Sequence, residues 1–198
     1  MFQPKRLVQE KVMSMVATES SQTLKSGSQA PDFSLPGADG KNYSLSQFSE
    51  ASAAVVIFMC NHCPFVLAKI DDMNKLYASY RPRNVAFIGI NSNSNPDYPD
   101  DSFDKMKEFV QEKQIKFPYL FDETQNVAKA YGAVCTPDPF IFDSSMRLVY
   151  HGRINNAMTP EDKPTKHDLD EALDAILRGS LPRQAFLPSR GCSIKWRQ

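Results

Sequence analysis

Ala53-Ala54-Val55-Val56-Ile57-Phe58-Met59 runs directly into Cys60-Asn61-His62-Cys63-Pro64. A continuous apolar run rich in Val and Ile is the pattern of a central strand covered on both faces. Beyond Pro64, Val66, Ile70, Met73, Tyr77 and Tyr80 recur at spacings of four, three, four and three. That stripe predicts one buried helix face, with Lys69, Asp71, Asp72 and Lys75 left to solvent. Pro64 suits a first helical turn, where the amide has no intrahelical acceptor to lose. The two cysteines therefore stand where a buried strand meets a helix.

Working outward, residues 30–35 alternate apolar and polar, Asp39-Gly40 marks a hairpin turn, and 41–45 supply the return strand. After the helix, residues 85–90 read as a second buried strand and 91–101, with Pro96 and Pro99, as a loop. Phe103, Met106 and Val110 form a helical stripe, 117–121 a short strand, and 123–131 a short helix stopped by Gly132. Residues 140–142 and 147–150 read as strands joined by a turn. Leu169, Leu173, Ile176 and Leu177 mark a final helix closed by Gly179. The order is a β-hairpin, then β-α-β-α-β-α, then β-β-α. Such alternation predicts an α/β domain with a mixed central sheet and helices on both faces.

The domain is expected to span 28–180, with a flexible arm over 1–27 and an irregular tail over 181–198 packed on it. The 198 residues carry 23 basic and 23 acidic side chains, so the net charge is zero. That balance points to no nucleic-acid partner and no anionic membrane surface. The first 29 residues hold no apolar run long enough for a secretory signal or a span. The expected compartment is the reducing cytoplasm, where paired cysteines are more often catalytic or metal-binding than structural.

Two residues between cysteines allow a small disulfide ring. A helix N-terminus presents unpaired amides and a positive dipole end, both of which favour a thiolate. Cys60 is expected to be the more exposed, nucleophilic sulfur and Cys63 the resolving thiol. Zinc sites also use this spacing, but Cys135, Cys192, His62, His151 and His167 form no second pair. A metal-binding module built on Cys60 and Cys63 with His62 or Cys135 remains the non-enzymatic alternative.

At this strand–cysteine–helix junction the sequence resembles the thioredoxin superfamily, and within it the peroxiredoxin-like branch related to alkyl hydroperoxide reductase and thiol-specific antioxidant proteins. The resemblance rests on Ala30-Pro31-Asp32-Phe33, on 58–64, on Thr136-Pro137-Asp138-Pro139-Phe140 and its continuation to Asp143, on Gly152-Arg153-Ile154, and on Gly191-Cys192-Ser193-Ile194-Lys195-Trp196. It implies a thioredoxin-like fold with an N-terminal β-hairpin and an inserted βα unit. It also implies that Pro137, after Thr136, is a cis-proline facing the cysteines. His62 matches a position that in disulfide isomerases and oxidases stabilises the first thiolate and makes the disulfide more oxidising.

Peroxidatic cysteines of that branch follow a proline seven positions back and a Thr or Ser three back. Those positions hold Ala53 and Ile57 before Cys60, and Val56 and Cys60 before Cys63. Disulfide exchange is therefore expected ahead of the thiol-peroxidase alternative, in which Cys63 or Cys192 would resolve a sulfenic acid. The expected substrates are protein or small disulfides, with regeneration by a thiol reductant such as a thioredoxin system and no dissociable cofactor. Cys135 and Cys192 are each expected to be free thiols, with a redox role as the alternative. Arg153 is expected either to position the tail or a substrate carboxylate or to be a surface ion-pair partner. His151 and His167 are expected at the surface.

Overall fold

Strand β1 (Ala17–Glu19) leads to a hairpin of β2 (Ser34–Pro36) and β3 (Asn42–Ser44), then to the central strand β4 (Ala53–Phe58). The computed structural model describes residues 17–197. After β4 come the short helix α1 (Pro64–Leu67), helix α2 (Ile70–Tyr80), strand β5 (Val85–Asn91), helix α3 (Phe103–Glu112), strand β6 (Tyr119–Phe121) and helix α4 (Asn126–Tyr131). The chain then runs through β7 (Cys135–Thr136), β8 (Asp138–Asp143), β9 (Leu148–Gly152), helix α5 (Asp168–Leu177), β10 (Phe186–Leu187) and β11 (Arg190–Ser193).

A six-stranded sheet has the order β10-β9-β8-β4-β5-β6. Strands β4, β5 and β6 are parallel, β8 is antiparallel to β4 and β9, and β10 is parallel to β9. Every residue of β4 is buried, and alternate side chains enter different cores. Ala53, Val55 and Ile57 pack with residues of α2, α3 and α5. Ala54, Val56 and Phe58 pack with Leu35, Leu45 and the α4 residues Val127, Ala128 and Tyr131. A strand covered on both faces must be apolar at both parities, which is why 53–59 reads as an unbroken run.

Gly132 and Gly179 take the positive φ of helix-closing residues, 70° and 76°. The single helix expected after Pro64 is instead two. At Lys69 the backbone has φ −117° and ψ 0°, and its amide donates to Val66 O at 3.0 Å. Lys69 is buried rather than solvated, and its Nζ donates to Ala157 O at 3.0 Å.

Polar ends of the chain form structure that their composition does not announce. Of the stretch expected as an arm over 1–27, residues 1–16 lie outside the described residues, while Ala17–Glu19 is strand β1. The tail, expected to be irregular, carries β10 and β11. Strands β1, β11 and β7 make a small antiparallel sheet, with Ala17 opposite Cys192 and Cys192 opposite Thr136. Ladder hydrogen bonds depend on backbone groups rather than side-chain hydropathy, so such short strands leave no periodic trace.

Candidate active site

The Thr136–Pro137 peptide is cis, as expected, and joins β7 to β8 beside the two cysteines. Cys60 Sγ shares a hydrogen bond with Thr136 Oγ1 at 3.3 Å, and Cys63 Sγ donates to Thr136 O at 3.2 Å when protonated. A third sulfur completes the cluster: Cys192 Sγ lies 2.8 Å from Cys63 Sγ. The residue at the N-cap of α1 is Cys63, not Cys60. Both sulfurs of the pair are wholly buried, so the expectation of a more exposed Cys60 does not hold. The reason is geometric: Pro64 begins the helix, so the preceding residue takes the cap, and Cys60 stays on the end of the buried strand run.

The three thiols share their protons unequally. Burial alone would push the Cys63 thiol up, but donation from the Cys192 and Cys60 thiols and from the Cys192 and Val66 amides outweighs it and pulls it far below the ordinary thiol range. Burial first, then the hydrogen bond to Cys63 and the charge of Asp101, push Cys60 well up. Its hydrogen bond to Cys63, then burial, push Cys192 up. The shifts thus run in opposite directions, down at Cys63 and up at Cys60 and Cys192.

Asp101 is the site neighbour that the sequence leaves hidden. It is fully buried; Oδ1 accepts the Asn61 amide at 2.8 Å and Oδ2 accepts Asn93 Nδ2 at 2.7 Å. Asp101 Oδ2 also lies 2.6 Å from His62 Nδ1. Burial would lower the His62 pKa, but the Asp101 contact and the Cys63 charge raise it overall. Asn61 is held in turn by Tyr119, whose hydroxyl donates to Asn61 Oδ1 at 2.9 Å. Cys60, His62 and Asp101 could together offer a metal ion three ligand atoms within 4.8 Å of one another. Both Asp101 oxygens are already engaged by N–H donors, and structural zinc takes four ligands.

The profile of the AhpC/TSA family matches residues 26–151. The chain belongs to that family. A crystal structure of an uncharacterised conserved protein from Geobacillus kaustophilus is similar at 42% identity and a TM-score of 0.88, over 93% of this chain and 98% of that one. The thiol-disulfide oxidoreductase ResA of Bacillus thuringiensis subsp. konkukian is 25% identical over 77% of this chain and 79% of its own length. A thiol:disulfide interchange protein DsbE structure from Chlorobium tepidum, 20% identical, superposes with a TM-score of 0.60 over 79% of this chain and 98% of that one, and shares the thioredoxin-like fold.

In this AhpC/TSA protein the remaining sequence candidates separate. Thr136, Cys192 and His62 join Cys60 and Cys63. Cys135 is buried with its sulfur against Ser189 O at 4.0 Å. Arg153 Nε donates to Asp168 Oδ2 at 2.7 Å, while its amide donates to Leu187 O of the tail at 2.9 Å. Arg153 is thus an ion-pair partner whose backbone pins the tail. His167 is exposed before α5, as expected, but His151 is not at the surface. It is fully buried, 3.0 Å from Asp138 Oδ1, because β9 lies between β8 and β10.

Proposed function

We propose that the protein is a thiol–disulfide oxidoreductase in which Cys60 attacks a substrate disulfide and Cys63 resolves the mixed disulfide. The observation that carries this is geometric: the cysteine pair meets the cis Thr136–Pro137 peptide, with Cys60 Sγ 3.3 Å from Thr136 Oγ1 and Cys63 Sγ 3.2 Å from Thr136 O. Cys60 loses its proton as it attacks, and the first substrate sulfur leaves with the electron pair and takes up that proton. The Cys63 thiolate then attacks Cys60 Sγ, forming the Cys60–Cys63 disulfide, and the second substrate sulfur leaves as thiolate. Cys60 is assigned the attack because it stands ahead of the helix, whereas Cys63 caps α1 with its sulfur against Cys192 and the Thr136 carbonyl. The name of the ResA relative supports the same reaction class. Protein or small disulfides would be the substrates, and a thiol system of a reducing cytoplasm would restore the dithiol.

Insulin reduction driven by dithiothreitol tests this. Cys60→Ser should fall to the rate of dithiothreitol alone. Cys63→Ser should trap a mixed disulfide on Cys60, seen by mass spectrometry. A Cys60→Ser variant that keeps the wild-type rate overturns the assignment. Peroxide reduction is the second reading, favoured by the Thr136 hydroxyl 3.3 Å from Cys60, since Ala53 and Ile57 supply neither proline nor hydroxyl. Peroxide consumption by the reduced protein at a rate above its insulin reduction would prefer it.

A further inference from the structure

We propose that Cys192 is a third redox cysteine, exchanging with Cys63 so that the oxidised protein holds either a Cys60–Cys63 or a Cys63–Cys192 disulfide. This rests on the exchange chemistry proposed above for Cys60 and Cys63. The two sulfurs are 2.8 Å apart, against roughly 2.05 Å in a formed bond, so closure asks for less than ~1 Å of movement.

Their proximity is built in by the tail rather than left to a loose end. Strand β11 lies between β7 and β1, with Cys192 opposite Thr136 on one side and Ala17 on the other. A Cβ at Gly191 would collide with the Thr136 carbonyl, so only glycine lets the tail approach the proline loop this closely. Ser189 is fixed at its start by Ser20: the Ser189 amide donates to Ser20 Oγ at 2.8 Å and the Ser20 amide to Ser189 O at 2.9 Å. At its end the Lys195 amide donates to Asn93 Oδ1 at 2.8 Å. Cys135, one residue along from Thr136 on β7, is an internal contrast. It is equally buried, yet its sulfur meets only a carbonyl at 4.0 Å.

The step is an isomerisation and needs no oxidant beyond the one that made the first disulfide. From the Cys60–Cys63 disulfide, Cys192 loses its proton and its thiolate attacks Cys63 Sγ. The Cys63–Cys192 bond forms, the Cys60–Cys63 bond breaks, and Cys60 leaves with the electron pair and takes up the proton. The result frees Cys60 beside Thr136 while the tail is covalently tied to the start of α1. Cys63 is the branch point, consistent with its position as acceptor from both neighbouring thiols.

The test uses the full chain, reduced and then treated with one equivalent of oxidised glutathione, acid-quenched, alkylated and mapped by mass spectrometry. Cys63–Cys192 should account for about a tenth or more of the disulfide, the share expected if the two bonds differ by no more than about 1.4 kcal/mol. In Cys60→Ser it should form alone, and in Cys192→Ser only Cys60–Cys63 should remain. Finding only Cys60–Cys63 in the wild type, with Cys192 free, together with free Cys63 and Cys192 thiols in Cys60→Ser, overturns the inference and leaves the exchange reaction standing. Absence of Cys60–Cys63 itself would instead overturn the exchange reaction. Near-ultraviolet circular dichroism of Cys60→Ser matching wild type shows that the variant is folded.

Discussion

His62–Asp101 and His151–Asp138 are both histidine–carboxylate contacts, at 2.6 and 3.0 Å, and each imidazole stacks on an aromatic ring. Their surroundings differ. His62 stacks on the partly exposed Tyr98 at 5.8 Å and keeps some solvent access beside the thiols. His151 lies fully buried, 3.9 Å from the Phe140 ring and hemmed by Phe186. The first pair joins the Cys60–Cys63 segment to the 3-10 turn Pro99–Asp101 and can respond to charge on Cys63. The second joins neighbouring strands β8 and β9 and holds the segment after Pro137 in place. The same chemical pair thus stands near solvent and the thiols in one place, where its charge can respond to them, and fastens a sheet in the other.

The largest effect should come from breaking the buried pair. His151→Ala leaves Asp138 without its partner in the core and should cost about 3–5 kcal/mol of stability in urea unfolding. Insulin reduction per folded molecule should stay within twofold. A loss under about 1 kcal/mol would erase the contrast between the pairs. Next is Asp101→Asn, which keeps the shape but removes the charge. Insulin reduction at neutral pH should drop about tenfold, equivalent to about 1.4 kcal/mol in the barrier. The His62 pKa should fall, measurable by NMR titration. Because the folded His62 pKa is raised, its stabilising contact with Asp101 is complete below about 6.5 and fades as pH rises through the folded value. The stability difference between wild type and His62→Ala should therefore be largest in acid and vanish in base. The smallest effect is expected from Arg153→Ala: the buried Asp168 loses one cation but keeps Lys166 Nζ at 3.3 Å, so the cost should be about 1 kcal/mol, with exchange unchanged. A tenfold loss of exchange there would place Arg153 in the reaction after all.

Much of the scaffold was legible. The apolar run before Cys60, the stripe through Met73 and Tyr80, and the glycine stops at 132 and 179 all express local rules of burial and backbone geometry. The site was legible in part. The spacing of Cys60 and Cys63 stood out, and the family resemblance supplied Pro137 and Thr136. Asp101 left no sign, because an acid among Pro99, Asp100 and Ser102 looks like an ordinary loop residue. Its burial follows from partners at Asn61, His62 and Asn93, brought together by the fold. His151 looked like a surface residue for the converse reason: its partner Asp138 lies on the neighbouring strand, and a sheet's cross-strand neighbours are not written in one strand.

By itself, then, the sequence determined that a cysteine pair sits between a buried strand and a helix, because hydrophobic periodicity and first-turn proline are local properties of the chain. Only the tertiary structure decided which of those thiols is drawn toward acidity. The Cys63 pKa is pulled down by neighbours that include Cys192, 2.8 Å away and 129 positions along the chain on β11. Thiol ionisation depends on donors and burial summed over space, and strand pairing, not chain order, fixes who those neighbours are.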